Sequence, residues 1–382
     1  MSTIADWSYP TAIRFGVGRI AEIGEACASA GIRTPLLVTD RGLATLDIAA
    51  KTLDLMEAAG LGRAMFSEVD PNPTDRNMEA GVAAFREGRH DGVIAFGGGS
   101  GLDLGKMVAF MQGQTRPVWD FEDIGDRWTR ADAGAIAPVV AVPTTSGTGS
   151  EVGRAGVITN SLARAKKIIF HPGLLPKAVI ADPELAAGAP PDITAGAGMD
   201  AFAHCLEAYC SPSFHPMSQG IALEGMRLVI EHLPRAYADG ADMEARTRMM
   251  AAAAMGAVAF QKGLGAIHAI SHPLGALYDT HHGTTNAVVM PMVLELNRPA
   301  IEGPLDRAAA YLGIAGGYGG FVDQVMELRA KLGIPETLGA MGVGTDRIAE
   351  MVPMALDDPS AGGNPVEMTA ENTEALFRAA IG

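Results

Sequence analysis

Short apolar runs alternate with amphipathic stretches through the first half of the chain. PLLVTD (35–40) has the continuous apolar run and polar end of a strand buried on both faces. AAKTLDLMEAAG (49–60) follows with helical spacing and a terminal glycine that stops it. MFSEV (65–69) is a second strand candidate, and DPNPT after it a loop. Residues 76–87 are helical in pattern. DGVIAF (91–96) predicts a third strand, LDLGKMVAFM (102–111) a helix, and PVVAVP (138–143) another buried strand. Strands alternating with helices imply right-handed crossovers and a parallel sheet covered on both faces.

The pattern changes near residues 182–191. ADPELAAGAPPD is rich in Pro, Gly and Ala and reads as a connector. Beyond it β-branched runs are few, and helical segments dominate at 196–211, 218–233, 243–260 and 321–332. The predicted fold is a Rossmann-like α/β domain over residues 1–185, built on a parallel sheet. An all-α helical domain follows over residues 186–382. A cleft between two such domains is a favoured place for a ligand.

Composition narrows the function classes. Of 382 residues, 48% are hydrophobic and 19% charged, an ordinary globular balance with enough chain for two cores. A formal net charge of −15 argues against nucleic-acid phosphate or an anionic membrane surface as a partner. The apolar run MMAAAAMGAVAF (249–260) is too short to span a bilayer and reads as a buried helix. The three cysteines, Cys27, Cys205 and Cys210, form no CxxC and suggest reduced thiols in a cytoplasmic protein. The first residues, MSTIADWSYPTAIRF, lack a basic segment followed by an apolar one, so no signal peptide is expected.

Two glycine-rich loops follow predicted strands. In GGGSGLDLGK (97–106) the glycines permit close backbone approach, and the N–H groups at the start of the next helix can face a pyrophosphate. The spacing is not GxGxxG, and a plain tight turn would also use it. PTTSGTGSE (143–151) is dense in hydroxyls and suits ribose and phosphate oxygens, or a connection held by local hydrogen bonds. Two such loops on one sheet favour a nucleotide at its carboxyl edge. Asp40 ends the first strand, where a carboxylate can accept from a ribose diol and repel a 2′-phosphate, favouring NAD over NADP.

A set of acidic and imidazole side chains carries the chemistry. Asp200 and His204 are four apart in GMDAFAH, on one face of a predicted helix. His268 and His272 are also four apart in IHAISHPLGALYDTHHG, with His281 and His282 beyond. Ala269 stands where the zincin motif needs its glutamate, so that motif does not apply. Singly each of these is equally a cap or a hydrogen-bonded core histidine. Together one Asp and three His could complete a four-ligand site for Fe2+ or Zn2+ with room for a substrate oxygen.

The sequence resembles the iron-containing, or group III, alcohol dehydrogenase family. GGGSGLDLGK, PTTSGTGSE, the stretch from Lys166 to DPEL (182–185), GMDAFAH and HAISHPLGALYDTHHG occur in that family's order, over nearly the whole chain. The resemblance implies metal ligation by Asp200, His204, His268 and His282, with Fe2+ the first expectation and Zn2+ the second. His282 is implied over His281 because the family's ligand precedes a glycine. His272 matches a histidine near nicotinamide and substrate, and is the candidate for a proton relay. Asp40, Gly97, Gly98, Gly99, Ser100, Asp103, Thr144, Thr145 and Ser150 align with cofactor-contacting stretches, and Lys166 with a lysine near the ribose.

The implied reaction is reversible hydride transfer between a short-chain alcohol or hydroxyacid and NAD, giving aldehyde or ketone. The implied partners are a small-molecule substrate and further copies of the chain, as a homodimer or larger. The intact ligand pattern argues against a metal-independent maleylacetate reductase. A dehydroquinate-synthase-like or glycerol-dehydrogenase-like enzyme is the alternative on this fold. No dense Lys/Arg cluster beside the histidines supports the first of these. A metal-stabilised binding protein without turnover would have no use for the glycine loops. Phe121, Phe260 and Tyr278 are candidates for apolar pocket walls or plain core.

Overall fold

A computed structural model describes residues 8–382. Residues 1–7 of the N-terminal stretch considered for a leader lie outside them. The chain divides into two compact units.

The α/β unit comprises Tyr9–Thr145 and Gly149–Gly188. Its strands are β1 (Ala12–Phe15), β2 (Pro35–Val38), β3 (Met65–Phe66), β4 (Gly92–Gly97), β5 (Val139–Pro143), β6 (Ala155–Asn160), β7 (Ala165–Phe170) and β8 (Ala178–Ala181). Its helices are α1 (Ile23–Ser29), α2 (Asp47–Ala58), α3 (Asp75–Glu87) and α4 (Gly99–Met111). Six strands form one sheet in the order β1-β8-β5-β4-β2-β3, every pair parallel. The parallel sheet and the element order match the expectation.

The reason lies in the runs PLLV, GVIAFG, VVAVP and AVIA, which are buried throughout. Strands covered on both faces need apolar residues at every position, not every second one. From β2 the chain steps outward to β3. It then returns to β4 and continues the other way through β5 to β8. The order therefore reverses between β2 and β4, where such sheets open a crevice at their carboxyl edge.

Four strands, β1, β6, β7 and β8, went unread in the sequence. β1 is a four-residue edge strand with little burial. β6 and β7 pair antiparallel as a separate hairpin, Asn160 opposite Ala165.

The helical unit contains Ala189–Gly382 and the tripeptide Ser146–Thr148. Its helices are α5 (Pro191–Cys210), α6 (Pro216–Ala238), α7 (Met243–Ala259), α8 (Ala266–Tyr278), α9 (His282–Leu312), α10 (Gly317–Lys331), α11 (Ile348–Leu356) and α12 (Ala370–Ile381). The division between the units falls after Gly188, three residues beyond the boundary read from sequence. Ser146–Thr148 joins the helical unit because Gly147 packs on the backbone of Ala197, where an added Cβ would stand 2.9 Å from the Ala197 carbonyl oxygen.

α5 is the central helix of this unit, with an almost wholly buried surface that includes Met199, Phe202, Ala203 and Leu206. The alanine-rich run 249–260 is α7, buried against it. No single helix among the described residues is long and apolar enough to cross a membrane.

Candidate metal centre and cofactor loops

α5 begins at Pro191, whose fixed φ suits the first helical turn, and it brings three polar side chains into an apolar interior. Asp200, His204 and Glu207 lie at i, i+4 and i+7 on one face, and each is buried. α8 supplies His268 and His272, and α9 opens with His282. Close approach of α9 to α5 depends on Gly283. A Cβ there would stand 2.0 Å from the Gly196 carbonyl oxygen and 2.9 Å from Asp200 Cβ.

Three imidazole nitrogens converge on one carboxylate oxygen. From Asp200 Oδ1, His268 Nε2 and His282 Nε2 are each 3.6 Å away and His204 Nε2 is 3.8 Å away. These separations are too long for hydrogen bonds. They are close to the roughly 3.4 Å spacing of donors each about 2.1 Å from one tetrahedral ion. The donors therefore fit a divalent metal: one hard oxygen and three borderline nitrogens, facing one point. Asp200, His204 and His268 are the most deeply buried of the four, and their ligand atoms lie within 4.8 Å of one another. The rings of His204 and His268 stack with centroids 4.7 Å apart, an arrangement that disfavours charge on both. Phe260 packs edge-on against His204 at 5.0 Å.

Electrostatics follow from burial and proximity. Burial opposes charge on Asp200, but His204, His282 and His268 outweigh it and hold the carboxyl well below the usual range. Burial pushes His204 down to about 4, against the pull of Asp200. At His268 burial is overcome, chiefly by Glu207 and then by Asp200, so the ring's value is raised. His281 points elsewhere. Its Nδ1 accepts from the Thr284 backbone N–H at 3.3 Å and caps α9.

The cofactor-stretch residues gather at the carboxyl edge of the sheet. Gly97 ends β4 with φ near 145°, a conformation that suits glycine, and its carbonyl accepts from Thr144 N–H at 3.0 Å. Gly98, at the mouth of α4, lies beside Thr145, and Gly99 and Ser100 form the first turn of that helix. The buried Thr144 hydroxyl has no partner among the described residues. Asp40, just past β2, accepts from Leu43 N–H at 2.8 Å through Oδ1, closing a turn. Ser100 donates to the Pro71 carbonyl.

Asp103 and Ser150 are tied to each other and to the hairpin. The Ser150 hydroxyl donates to Asp103 Oδ1, and Val157 N–H donates to Asp103 Oδ2 at 3.2 Å. Lys106, buried beneath, donates to the carbonyls of Ser150 and Ala155. Lys166 stands apart from the glycine loops on β7, opposite Thr159.

Comparison with known proteins places this arrangement. Residues 10–183 match the model of the iron-containing alcohol dehydrogenase family, and residues 194–381 match that family's C-terminal model. The chain belongs to the iron-containing alcohol dehydrogenase family. It is thus an oxidoreductase acting on CH–OH donors. Among its relatives, a 4-hydroxybutyrate dehydrogenase of Cupriavidus necator is 41% identical over 95% of this chain and 96% of the relative. The crystal structure of a 1,3-propanediol oxidoreductase superposes with a TM-score of 0.92 at 34% identity, covering 99% of this chain and all of that one (100%). A sulfoacetaldehyde reductase from Bifidobacterium kashiwanohense, solved with NAD+, gives a TM-score of 0.89 at 28% identity over 100% of both chains.

Glu207 and Asp358, beside candidate histidines of this dehydrogenase, escaped the sequence reading. Glu207 Oε2 lies 2.6 Å from His268 Nδ1, and its Oε1 accepts from Ile267 N–H at 2.7 Å. One carboxylate thus fixes both the ring and the first turn of α8. Asp358 Oδ2 lies 2.7 Å from His272 Nδ1, and its Oδ1 accepts from Ser360 N–H at 2.8 Å. Burial opposes the Asp358 charge, but His272 and then Ser360 hold its carboxyl below the usual range. Glu207 had a signal, its i+3 spacing from His204 within an apolar helix. Asp358 had none, being 86 residues from its partner.

Proposed function

We propose that the enzyme interconverts a short-chain alcohol or hydroxyacid and its aldehyde or ketone with NAD, using a divalent ion held by Asp200, His204, His268 and His282. Fe2+ is the first assignment and Zn2+ the second. The carrying observation is the convergence of three Nε2 atoms on Asp200 Oδ1 at 3.6–3.8 Å. When bound, the ion supplies Lewis acidity toward the alcohol oxygen and NAD supplies the hydride acceptor.

The chain's own residues do the rest. Glu207 keeps the His268 Nδ1 proton, so Nε2 presents its lone pair to the ion. Asp358 does the same for His272, leaving His272 Nε2 as the nitrogen that takes up and passes on the alcohol proton. Gly97, Gly98, Gly99, Ser100, Thr144 and Thr145 receive the pyrophosphate and ribose at the carboxyl edge, with Asp103, Ser150 and Lys166 in support. Asp40 selects the 2′-hydroxyl. Work in the cytoplasm as a homodimer or larger assembly belongs to the same proposal. The substrate class is drawn from the relatives, which are named for 4-hydroxybutyrate and 1,3-propanediol.

The test is direct. Metal-free protein is reconstituted with Fe2+ under anaerobic conditions, or with Zn2+, and given NAD+ with primary alcohols, diols and ω-hydroxyacids. NADH absorbance should rise with metal and not without it; none with any metal and any member of the panel overturns the proposal. His272→Ala should lower kcat and flatten its pH dependence. Full kcat across the pH range would remove the relay role.

A further inference from the structure

Asn286 stands one turn beyond His282 on α9 and is wholly buried. Its carboxamide nitrogen sits inside the ligand cluster. Nδ2 donates to Asp200 Oδ1 at 2.8 Å and lies 3.4 Å from His268 Nε2 and 3.3 Å from His282 Nε2. Its carbonyl oxygen is buried with no hydrogen-bond partner among the described residues. An amide kept only for packing would have that oxygen satisfied, because buried carbonyls nearly always are. Turning the amide over would set its oxygen 2.8 Å from the carboxylate oxygen, a repulsive contact. Asp200 and the two imidazoles therefore fix the orientation, and the carbonyl goes without.

We propose that Asn286 is a positioning residue of the metal centre, holding Asp200 Oδ1 toward the three Nε2 atoms so that the ligand set is formed before the ion arrives. The inference rests on the metal site proposed above. The residue type suits this role. A lysine or arginine would also donate to the carboxylate, but would place a cation beside a divalent one. An aspartate would add a second acceptor and no N–H. An amide donates without net charge, so it fixes the oxygen and leaves the ligand charge unaltered.

The experiment uses the full chain stripped of metal. Zn2+ affinity is measured by competition with a chromophoric chelator, and Co2+ loading by its visible absorption bands. In Asn286→Ala and Asn286→Ser, Zn2+ should bind about 10- to 100-fold more weakly, and the Co2+ bands should shift as Asp200 relaxes. Affinity within about twofold of wild type with unchanged Co2+ bands overturns the inference. A crystal structure of the Zn2+-loaded wild type decides the matter if neither variant folds. Nδ2 within hydrogen-bond reach of Asp200 supports the role, and Oδ1 turned to the ion or an amide swung away refutes it. Wild type that binds neither Zn2+ nor Co2+ would instead remove the metal-site reading itself.

Discussion

Replacing Glu207 with glutamine tests how the proposed metal centre is held. Glu207 answers two buried donors at once, His268 Nδ1–H at 2.6 Å and Ile267 N–H at 2.7 Å, with one oxygen for each. Glutamine has the same shape but a single acceptor oxygen, so one donor must face an NH2 group. An unsatisfied buried N–H costs about 1–3 kcal/mol. If His268 is the donor left over, its ring loses both its orientation and the charge that raises its basicity. Losing such an outer partner lowers metal affinity about 10- to 100-fold. That factor corresponds to roughly 1.4–2.8 kcal/mol. Zn2+ competition on metal-free Glu207→Gln measures the affinity, and thermal melting of the metal-free protein measures the packing cost. A melting point and a Zn2+ affinity both equal to wild type would show that this carboxylate positions nothing.

Gly283→Ala should disturb the same centre by sterics alone. Its Cβ would fall 2.0 Å from the Gly196 carbonyl oxygen, forcing α9 away from α5 and His282 away from Asp200. Overpacking of this kind costs about 1–3 kcal/mol. Lower thermal stability with lower metal content is expected, and full occupancy at wild-type stability would refute it. In the α/β unit, burial pushes the Glu151 carboxyl from 4.5 up to about 7. The folded state thus holds this proton more tightly than the unfolded one. The resulting stability is complete below pH 4.5 and is lost as pH rises to about 7. Glu151→Gln should therefore be more stable than wild type at pH 8 by up to about 3 kcal/mol, with little difference near pH 4. Denaturant unfolding at the two pH values measures this, and a pH-independent difference would contradict it.

Much of this molecule was legible because its strongest signals are local. The strands β2, β4 and β5 are apolar at every position, and a strand buried on both faces must be. The helices α5, α6, α7 and α10 kept enough regular spacing to be read within a few residues. α9 was harder, because Pro291, Pro299 and Pro304 interrupt a helix that runs for 31 residues. α8 was hidden for a similar reason, with Pro273 inside it.

The sequence by itself determined the layered α/β unit, the helical unit and one carboxylate with several imidazoles as candidates for a metal site. It did so because periodicity and ligand type are properties of neighbouring residues. Tertiary structure decided what those side chains meet. It brought His268 on α8 and His282 on α9 to the same oxygen of Asp200, and gave His281 to a helix cap. It set Glu207 behind His268, Asp358 behind His272 and Asn286 between the candidate ligands. Such pairings depend on helix packing over separations of 61 to 86 residues, where spacing along the chain carries no information.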